Sequence, residues 1–346
     1  MLCIIEGPDG VGKTTLVERI VDEVNDRDPN AEITLIHSKK PSCHPLDEYL
    51  TPLLNYRPGT GQHLIFDRWA WGEYVYPRLY DRETQLDLPT LWYLNQYVRR
   101  LGGVVVLCTL PHDRVNRVYY ERDELELIPD YDRTLHLFRA ASELATVPQL
   151  GYNWSHEVSG QSWGSVAHVI ETARGWESVA APFAKYVTLV GATKPDYLLL
   201  GDVRHKLDRV TQLVTRADRR PAFVPYPATS GHWLLETFAH SDDLLAGVAL
   251  ANACDVDDVY QLWRDLGKPR TVTLGRNAHR EVAAYADMHH GQVTHPQHGR
   301  RFYAKRQVDY RDALIAALET GGDFSAWWKS TSTTCKMDTS KLSIMS

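Results

Sequence analysis

The sequence is poor in several features that would assign it to a specialised class of protein. Its five cysteines are odd in number and include no CxxC pair, which argues against a disulfide framework and against a cysteine-ligated zinc or iron–sulfur site. No apolar run reaches the roughly 18 residues that span a bilayer, and no basic leader precedes the first apolar segment. We therefore expect a cytoplasmic protein without a membrane partner.

An excess of basic residues is also lacking. The net charge is −6, from 38 Lys and Arg against 44 Asp and Glu, and this balance argues against non-specific polyanion binding by the chain as a whole. The length of 346 residues and the hydrophobic content of 43% favour two globular units, each with its own core.

Residues 1–185 alternate short apolar strands with segments of helical periodicity, and they form the first predicted unit. Strands are predicted at residues 2–6, 33–36, 63–66 and 104–110. Helices are predicted after residue 12, at 89–101 with Thr90 as the cap, and at 166–174, while the charged stretch 112–145 is predicted to be a mobile helical lid. This alternation predicts a doubly wound parallel sheet that binds ligands beyond the carboxyl ends of its strands.

A second, smaller α/β unit is predicted over residues 190–322. Its strands are predicted at 197–202, 222–224, 248–251, 270–274 and 292–294, and its helices include 259–266 and 276–288. Residues 329–346 are rich in Ser, Thr and Lys without periodicity, and they are predicted to be a disordered tail.

The strongest functional signal is the segment from Gly7 to Thr14, which fits the phosphate-binding pattern GxxxxGK[ST] between a predicted strand and a predicted helix. Glycines in such a loop let backbone N–H groups turn toward a triphosphate, and the helix N-terminus adds its positive dipole end. We predict that ATP and Mg²⁺ are the cofactors, with the Thr14 hydroxyl on the metal. The predicted ATP-binding residues are Gly7, Gly10, Gly12, Lys13, Thr14 and Thr15.

The sequence of this loop, from Glu6 to Gly10, resembles that of the thymidylate kinase family. The Asp67-Arg68 pair after the third strand, followed by Tyr76, matches the spacing of that family. The resemblance covers roughly residues 1–180. It implies that Asp9 approaches the 3′-hydroxyl of an acceptor nucleotide, that Arg68 holds the acceptor phosphate, and that Tyr76 lines the base pocket. Asp67 is assigned to both the substrate and the metal.

The chain departs from the family pattern on either side of this tyrosine. Gly72 stands where a small hydroxyl residue is usual, and Pro77 stands where an amide is usual. These departures leave open which base the predicted pocket prefers.

An arginine-bearing lid is the third family element. Arg114, Arg117 and Arg122 follow the order of arginines in that element. We predict that Arg117 and Arg122 are catalytic, together with Lys13, Asp9 and Arg68. Phosphoryl transfer depends on positioning and charge neutralisation, so arginines that close over the transferring group lower the barrier. A solvated helix face is the alternative for any one of these arginines.

Residues 196–318 resemble the uracil-DNA glycosylase superfamily more distantly. Five pieces match: Leu200-Gly201-Asp202 and Asn252-Ala253 after predicted strands, Gly231-His232-Trp233-Leu234 at the start of a helix, Val272-Thr273-Leu274-Gly275-Arg276, and Thr294-His295-Pro296. By resemblance, Asp202 assists a water or a sugar cation and His295 donates to a base carbonyl, with Asn252 as a further candidate. Because Val203-Arg204-His205 departs from active patterns, a binding or vestigial role is favoured over glycosylase activity.

Three functions remain open from the sequence. The first is a kinase for a free deoxynucleoside monophosphate, either thymidylate or a modified pyrimidine. The second is a kinase for 5-hydroxymethyl pyrimidines in DNA, in which the second unit recognises DNA or bases; such fusions resemble bacteriophage DNA-modification proteins, for which the host cytoplasm is the expected location. The third is a nucleic-acid-binding module with a relic kinase, against which intact Lys13-Thr14 and Asp67-Arg68 argue. A homodimer is expected by family analogy.

Overall fold

The computed structural model describes residues 1–38, 44–84, 86–110, 114, 131–160, 164–186, 189–202, 221–238, 247–253 and 258–329. Over these residues, two β-sheets with flanking helices form an α/β architecture, which confirms the predicted fold class. Among the described helices, none combines the length and the apolar character that a membrane crossing needs.

The first sheet has five parallel strands in the order β2-β3-β1-β4-β5. Its strands are β1 (Leu2–Glu6), β2 (Glu32–His37), β3 (Gln62–Asp67), β4 (Val104–Cys108) and β5 (Gln149–Tyr152). The central strands β1, β3 and β4 are almost wholly buried, which explains their continuous apolar sequence. The edge strand β2 is largely exposed.

Helices cover both faces of this sheet. The helices described in the first unit are α1 (Lys13–Arg27), α2 (Pro45–Asn55), α3 (Ala70–Leu79), α4 (Leu88–Arg100), α5 (Tyr131–Glu143), α6 (Trp154–Val158) and α7 (Val166–Ala180). Buried residues of α1 and α7 share one core cluster, and those of α2, α3 and α4 share another. The chain leaves β1 toward one edge of the sheet and β3 toward the other, so right-handed crossovers put their helices on opposite faces. The loops after β1 and β3 therefore flank a crevice of the kind that binds ligands in doubly wound sheets.

The second sheet has six strands in the order β11-β10-β9-β7-β8-β6, and only β6 is antiparallel to its neighbour. Its strands are β6 (Val190–Gly191), β7 (Tyr197–Gly201), β8 (Val248–Asn252), β9 (Arg270–Leu274), β10 (His289–Val293) and β11 (Gly322–Phe324). The helices described with it are α8 (Ser230–Phe238), α9 (Val259–Asp265), α10 (Arg276–Val282), α11 (Pro296–Tyr303) and α12 (Gln307–Thr320). Residues of α9 and α10 pack on one face, and those of α8 and α12 belong to the cluster on the other.

The helix α4 belongs to the cores of both units. It is buried on nearly every side, and one continuous cluster joins it to side chains of both sheets. The Tyr93 hydroxyl donates to the Ala222 carbonyl at 2.7 Å, and the Arg100 guanidinium donates to the Ala192 carbonyl at 3.3 Å. Next to α4, His232 pairs with Asp87. These contacts explain why α4 buries polar side chains, among them Asn95, Gln96 and Arg100, as well as apolar ones.

Several predicted boundaries differ from the observed ones. Residues 222–224 form no strand, because Phe223 adopts a left-handed φ of 50° in a turn. Asp87, not Thr90, caps α4, and its carboxylate accepts the Thr90 N–H at 3.0 Å. The predicted helix 276–288 ends at Val282, and the predicted strand 104–110 ends at Cys108. Sequence reasoning missed the helix α2, among others.

The described residues cover only part of the predicted lid and tail. The segment 131–143 of the lid is the helix α5, whereas residues 111–113 and 115–130 lie outside the described residues, as do residues 330–346 of the tail. The domain boundaries at 185 and 190 stay a prediction, although the two sheets fall on either side of them.

Candidate active site

The loop between β1 and α1 has the backbone of a glycine-dependent turn. Gly7, Gly10 and Gly12 have φ values of 137°, 78° and 89°, which residues with a Cβ rarely adopt. A Cβ atom at Gly7 would lie 2.3 Å from the carbonyl oxygen of Cys108 at the end of β4. The first position of the motif therefore needs glycine for two independent reasons, conformation and space.

Lys13 begins α1 and points back into the loop. Its Nζ donates to the carbonyls of Gly7 at 2.8 Å and Pro8 at 2.6 Å, and it lies 3.4 Å from Asp9 Oδ1. Only 5% of the side chain is exposed, and burial lowers the pKa of the ammonium group while the Asp9 carboxylate opposes that shift. The cation is thus held at the centre of the predicted phosphate cradle.

Asp9 links this cradle to the loop after β3. Its Oδ1 lies 3.1 Å from an Nη of Arg68, so one carboxylate contacts both Lys13 and Arg68. Arg68 has a φ of 78°, a strained value for a residue with a side chain, and its N–H donates to the Ile5 carbonyl at 3.0 Å. Its buried Nε has no hydrogen-bond partner among the described residues. This guanidinium therefore has donor capacity left for an anion beside Asp9.

Thr14 and Asp67 also meet in this crevice. The Thr14 hydroxyl donates to Asp67 Oδ2 at 3.0 Å, and the same oxygen lies 2.7 Å from His37 Nδ1. Asp67 Oδ1 is buried without a hydrogen-bond partner among the described residues. A carboxylate oxygen next to a threonine hydroxyl is a donor set that Mg²⁺ accepts, and that ion usually completes its shell with waters and phosphate oxygens. These two residues thus fit the predicted metal.

No larger metal cage exists among the described residues, since no three His, Cys, Asp or Glu side chains group to hold an ion there. Thr15 lies next to Thr14 in the first turn of α1 and is exposed. Thr14 therefore joins the predicted phosphate loop to the Asp67 site.

Tyr76 lies on α3, the helix that follows Arg68. Its ring packs edge-on against Phe138 with centroids 5.9 Å apart and stacks on Tyr80 at 6.4 Å. Burial, followed by the nearby Asp9 charge, raises the pKa of its hydroxyl. Tyr76 is therefore close enough to Asp9 to sense its charge, and it presents an aromatic wall on the Arg68 side of the crevice.

Sequence reasoning assigned no role to Glu6 or His37. Glu6 ends β1, is 1% exposed, and accepts the N–H groups of Trp69 at 2.9 Å, Gly72 at 3.2 Å and Gly7 at 3.4 Å. Burial raises the pKa of its carboxyl to about 8. A charged residue at the end of a buried strand was the available signal. His37 ends the exposed edge strand and carried no comparable signal.

The predicted catalytic arginines of the lid, Arg117 and Arg122, lie outside the described residues. Arg114 is described, and its guanidinium carbon lies 5.3 Å from the centroid of a Trp154 ring. A Cβ atom at Gly12 would contact Trp154 Cδ1 at 3.5 Å. An aromatic ring and an arginine therefore border the Lys13 side of the loop, after the ends of β5 and β4.

The second unit has its own cluster at the carboxyl ends of its strands. Asp202 follows β7 and accepts from the Asn277 amide, while Asn252 ends β8 and is 2% exposed. His295 follows β10, and its Nδ1 accepts the Gln297 N–H at 3.2 Å. The three predicted residues thus lie along one edge of the second sheet.

Phe223 connects this cluster and was missed by the sequence reasoning. Its ring stacks on His295 with centroids 6.3 Å apart and an interplanar angle of 27°. A Cβ atom at Gly201 would lie 2.2 Å from Phe223 Cζ and 3.0 Å from Asn252 Oδ1. The aromatic ring therefore lies against the end of β7, close to both polar candidates.

No protein-family model matches the chain, and no curated protein matches it significantly. Among solved structures, YorR from Bacillus subtilis, solved in complex with phosphorylated GDP, is 19% identical, with 49% of this chain and 96% of that chain covered at a TM-score of 0.39. Polyphosphate kinase 2 from Arthrobacter aurescens is 15% identical, with 51% of this chain and 68% of that chain covered at a TM-score of 0.36. The geometry of the site itself therefore carries the functional argument.

Proposed function

We propose that the chain is an ATP-dependent phosphotransferase that phosphorylates a deoxynucleoside monophosphate of the thymidylate type. The observation that carries this proposal is the position of Asp9, whose Oδ1 lies between Lys13 of the phosphate loop and Arg68 of the opposite loop. A phosphotransferase needs a cationic group that faces the phosphate loop, because its acceptor phosphate is an anion that must be held close to the transferring group. Here a donor cradle and an anion-binding arm face each other across one carboxylate.

The reaction asks little covalent chemistry of the protein. The bond between the γ-phosphorus and the bridging oxygen of ATP breaks, and a bond to an oxygen of the acceptor phosphate forms. Because that oxygen is already anionic, no catalytic base is needed. Lys13 would neutralise charge on the transferring group, and Arg68 would hold the acceptor phosphate in line with it.

Mg²⁺, held by Thr14 and Asp67, would supply further charge neutralisation at the donor phosphates. Asp9 would direct the acceptor by accepting a hydrogen bond from its sugar hydroxyl. Tyr76 would pack against the acceptor base, and its neighbours Gly72 and Pro77 leave a pocket wall that lacks the side-chain hydroxyl and amide of the thymidylate pattern. This altered wall is the reason to include 5-substituted pyrimidine nucleotides among the acceptors.

A second candidate is a kinase for 5-hydroxymethyl pyrimidines in DNA. It is favoured by the cluster of Asp202, Asn252 and His295 with Phe223, because a stacking ring beside polar groups suits a flipped base. The exposed Phe302, with 69% of its surface accessible, lies next to Arg301 on α11 after His295, and such a basic-aromatic surface suits single-stranded nucleic acid. Under this proposal the second unit binds DNA, as the glycosylase resemblance implies. The chain then acts in DNA modification, like the bacteriophage fusion proteins that it resembles.

The test is transfer of labelled γ-phosphate from ATP to a panel of deoxynucleoside monophosphates and to DNA containing 5-hydroxymethyl pyrimidines, followed by thin-layer separation. We expect label on a pyrimidine monophosphate. Label on polymer alone would replace the first proposal by the second. Label on neither, together with no magnesium-dependent affinity for ATP, would refute both.

The matched control for the site assignment is a pair of lysine substitutions. Lys13→Ala should lower kcat by about 10²- to 10³-fold, the range for losing one preorganised charge-stabilising group. Lys194→Ala removes an equivalent charge from an exposed position outside the crevice and should leave kcat unchanged. Near wild-type activity in Lys13→Ala would show that the site is elsewhere. The homodimer and the cytoplasmic location stay predictions.

A further inference from the structure

One buried carboxylate joins the two arms of the crevice. Glu6 Oε2 accepts the N–H of Gly7, the first residue of the phosphate loop, at 3.4 Å. Glu6 Oε1 accepts the N–H groups of Trp69 at 2.9 Å and Gly72 at 3.2 Å. With 1% of its surface exposed, the side chain is shielded from water, so these backbone groups are its hydrogen-bonding environment.

The contacts to Trp69 and Gly72 replace a missing helix cap. Trp69 is the N-cap of α3, and its own side chain makes no capping hydrogen bond. The first N–H groups of a helix need acceptors, and Glu6 supplies one from a neighbouring strand.

Arg68 immediately precedes this cap. Its left-handed φ of 78° persists only if the residues around it fix the turn. The Arg68 N–H donates to the Ile5 carbonyl at 3.0 Å, and the next N–H donates to Glu6. Two successive residues at the end of β1 therefore hold the turn that aims the arginine, and Glu6 at the same time holds the start of the phosphate loop.

We propose that Glu6 is a positioning residue that sets the spacing between the phosphate loop and the Arg68 arm. This inference rests on the proposed phosphotransferase function. The reacting atoms of a phosphoryl transfer must be held in near-attack geometry, and a misplacement of about 1 Å costs on the order of 10²-fold in rate. Glu6 itself contacts neither substrate, since its oxygens face backbone amides.

The test compares Glu6→Gln and Glu6→Asp with Asn95→Ala. Glutamine keeps one oxygen for Trp69 and Gly72 but turns an NH₂ group toward the Gly7 N–H, so it releases the loop while retaining the helix cap. Aspartate keeps the carboxyl group but is shorter by one methylene group and cannot reach both arms. Asn95→Ala is the matched control, because Asn95 accepts from Trp71 Nε1 at 3.2 Å and so supports the same helix without accepting from the Trp69, Gly72 or Gly7 N–H groups.

We expect kcat to fall by about 10- to 100-fold in both Glu6 variants, with the KM values for ATP and acceptor changed less than about threefold. Asn95→Ala should keep kcat near wild type even where it lowers the melting temperature as much. Unchanged kcat in the Glu6 variants, or an equal loss in Asn95→Ala at matched stability, would overturn the inference.

Hydrogen exchange provides a second measurement that does not depend on turnover. In Glu6→Gln, amides of peptides spanning residues 5–12 and 66–76 should exchange faster, with the larger change in the phosphate loop, while residues 104–108 stay protected. Unchanged exchange in both segments would refute the proposed positioning role of Glu6. If the wild type transfers phosphate to no acceptor, the proposed function fails, and the exchange result alone decides whether Glu6 joins the two segments.

Discussion

Replacing Gly7 by alanine is the most direct way to test whether the geometry of the phosphate loop underlies activity. The new Cβ would lie 2.3 Å from the Cys108 carbonyl oxygen and 3.2 Å from its carbon, whereas real Cβ contacts under 3.0 Å essentially do not occur. The obstacle is backbone in the central strand β4, which cannot swing aside as a side chain does. The loop must therefore move by roughly 1 Å, since packed backbone yields little.

Two costs follow from this geometry. The φ of 137° at Gly7 is disfavoured for alanine by about 1–3 kcal/mol, and forcing extra volume into a packed site costs a further 1–3 kcal/mol or so. We expect a loss of about 2–6 kcal/mol in unfolding free energy, and about 10²-fold in kcat/KM if the loop shifts by about 1 Å.

Gly61→Ala separates conformational strain from steric displacement. Gly61 also has a positive φ, 82°, but a Cβ there would meet nothing within 4 Å. This control should lose about 1 kcal/mol through strain alone and keep full activity. The assays are calorimetric melting and steady-state phosphate transfer with the acceptor found by the labelling experiment. A Gly7→Ala protein that melts and turns over like Gly61→Ala would refute the reasoning.

Three further predictions concern charge. Asp67→Asn should raise the Mg²⁺ concentration for half-maximal activity by at least about tenfold, measured by MgCl₂ titration at fixed ATP; an unchanged titration would remove Asp67 from the metal site. The second prediction concerns the pair of His232 and Asp87. The hydrogen bond between them raises the pKa of His232 above 6.5, and the pKa of Asp87 falls below 3.8 because the hydrogen bonds that Asp87 accepts outweigh the effect of burial. The pair therefore stabilises most between these values and loses strength as pH rises, so His232→Gln should lower the melting temperature more at about pH 5.5 than at about pH 8.5, and equal losses would contradict this. Because burial raises the pKa of Glu6 from 4.5 to about 8, the folded state holds that proton and loses stability as pH rises across this window; Glu6→Gln should flatten this part of the melting-temperature profile, and an unchanged slope would count against it.

Much of the first unit followed from local sequence. A short buried strand, three glycines, Lys13 and Thr14 specify the strand, the turn and the helix within 14 residues, and each part depends on neighbours along the chain. Asp67 ends the buried strand β3, so the pair Asp67-Arg68 lies at the edge of the sheet that the carboxyl ends of parallel strands share. The meeting of Asp9, Lys13 and Arg68 is a consequence of that rule.

Other features depended on contacts between distant segments. The sequence determined that a glycine-rich turn and a lysine would lie at the start of a helix, since backbone conformation and dipole are local properties. Only the tertiary structure decided that Glu6 would cap a helix more than sixty residues away, that α4 would be buried by two sheets, and that Phe223 would leave the strand pattern to stack on His295. Such contacts depend on which residues become buried, and burial is determined by packing across the whole chain. The periodicity of a short sequence window carries no information about that packing.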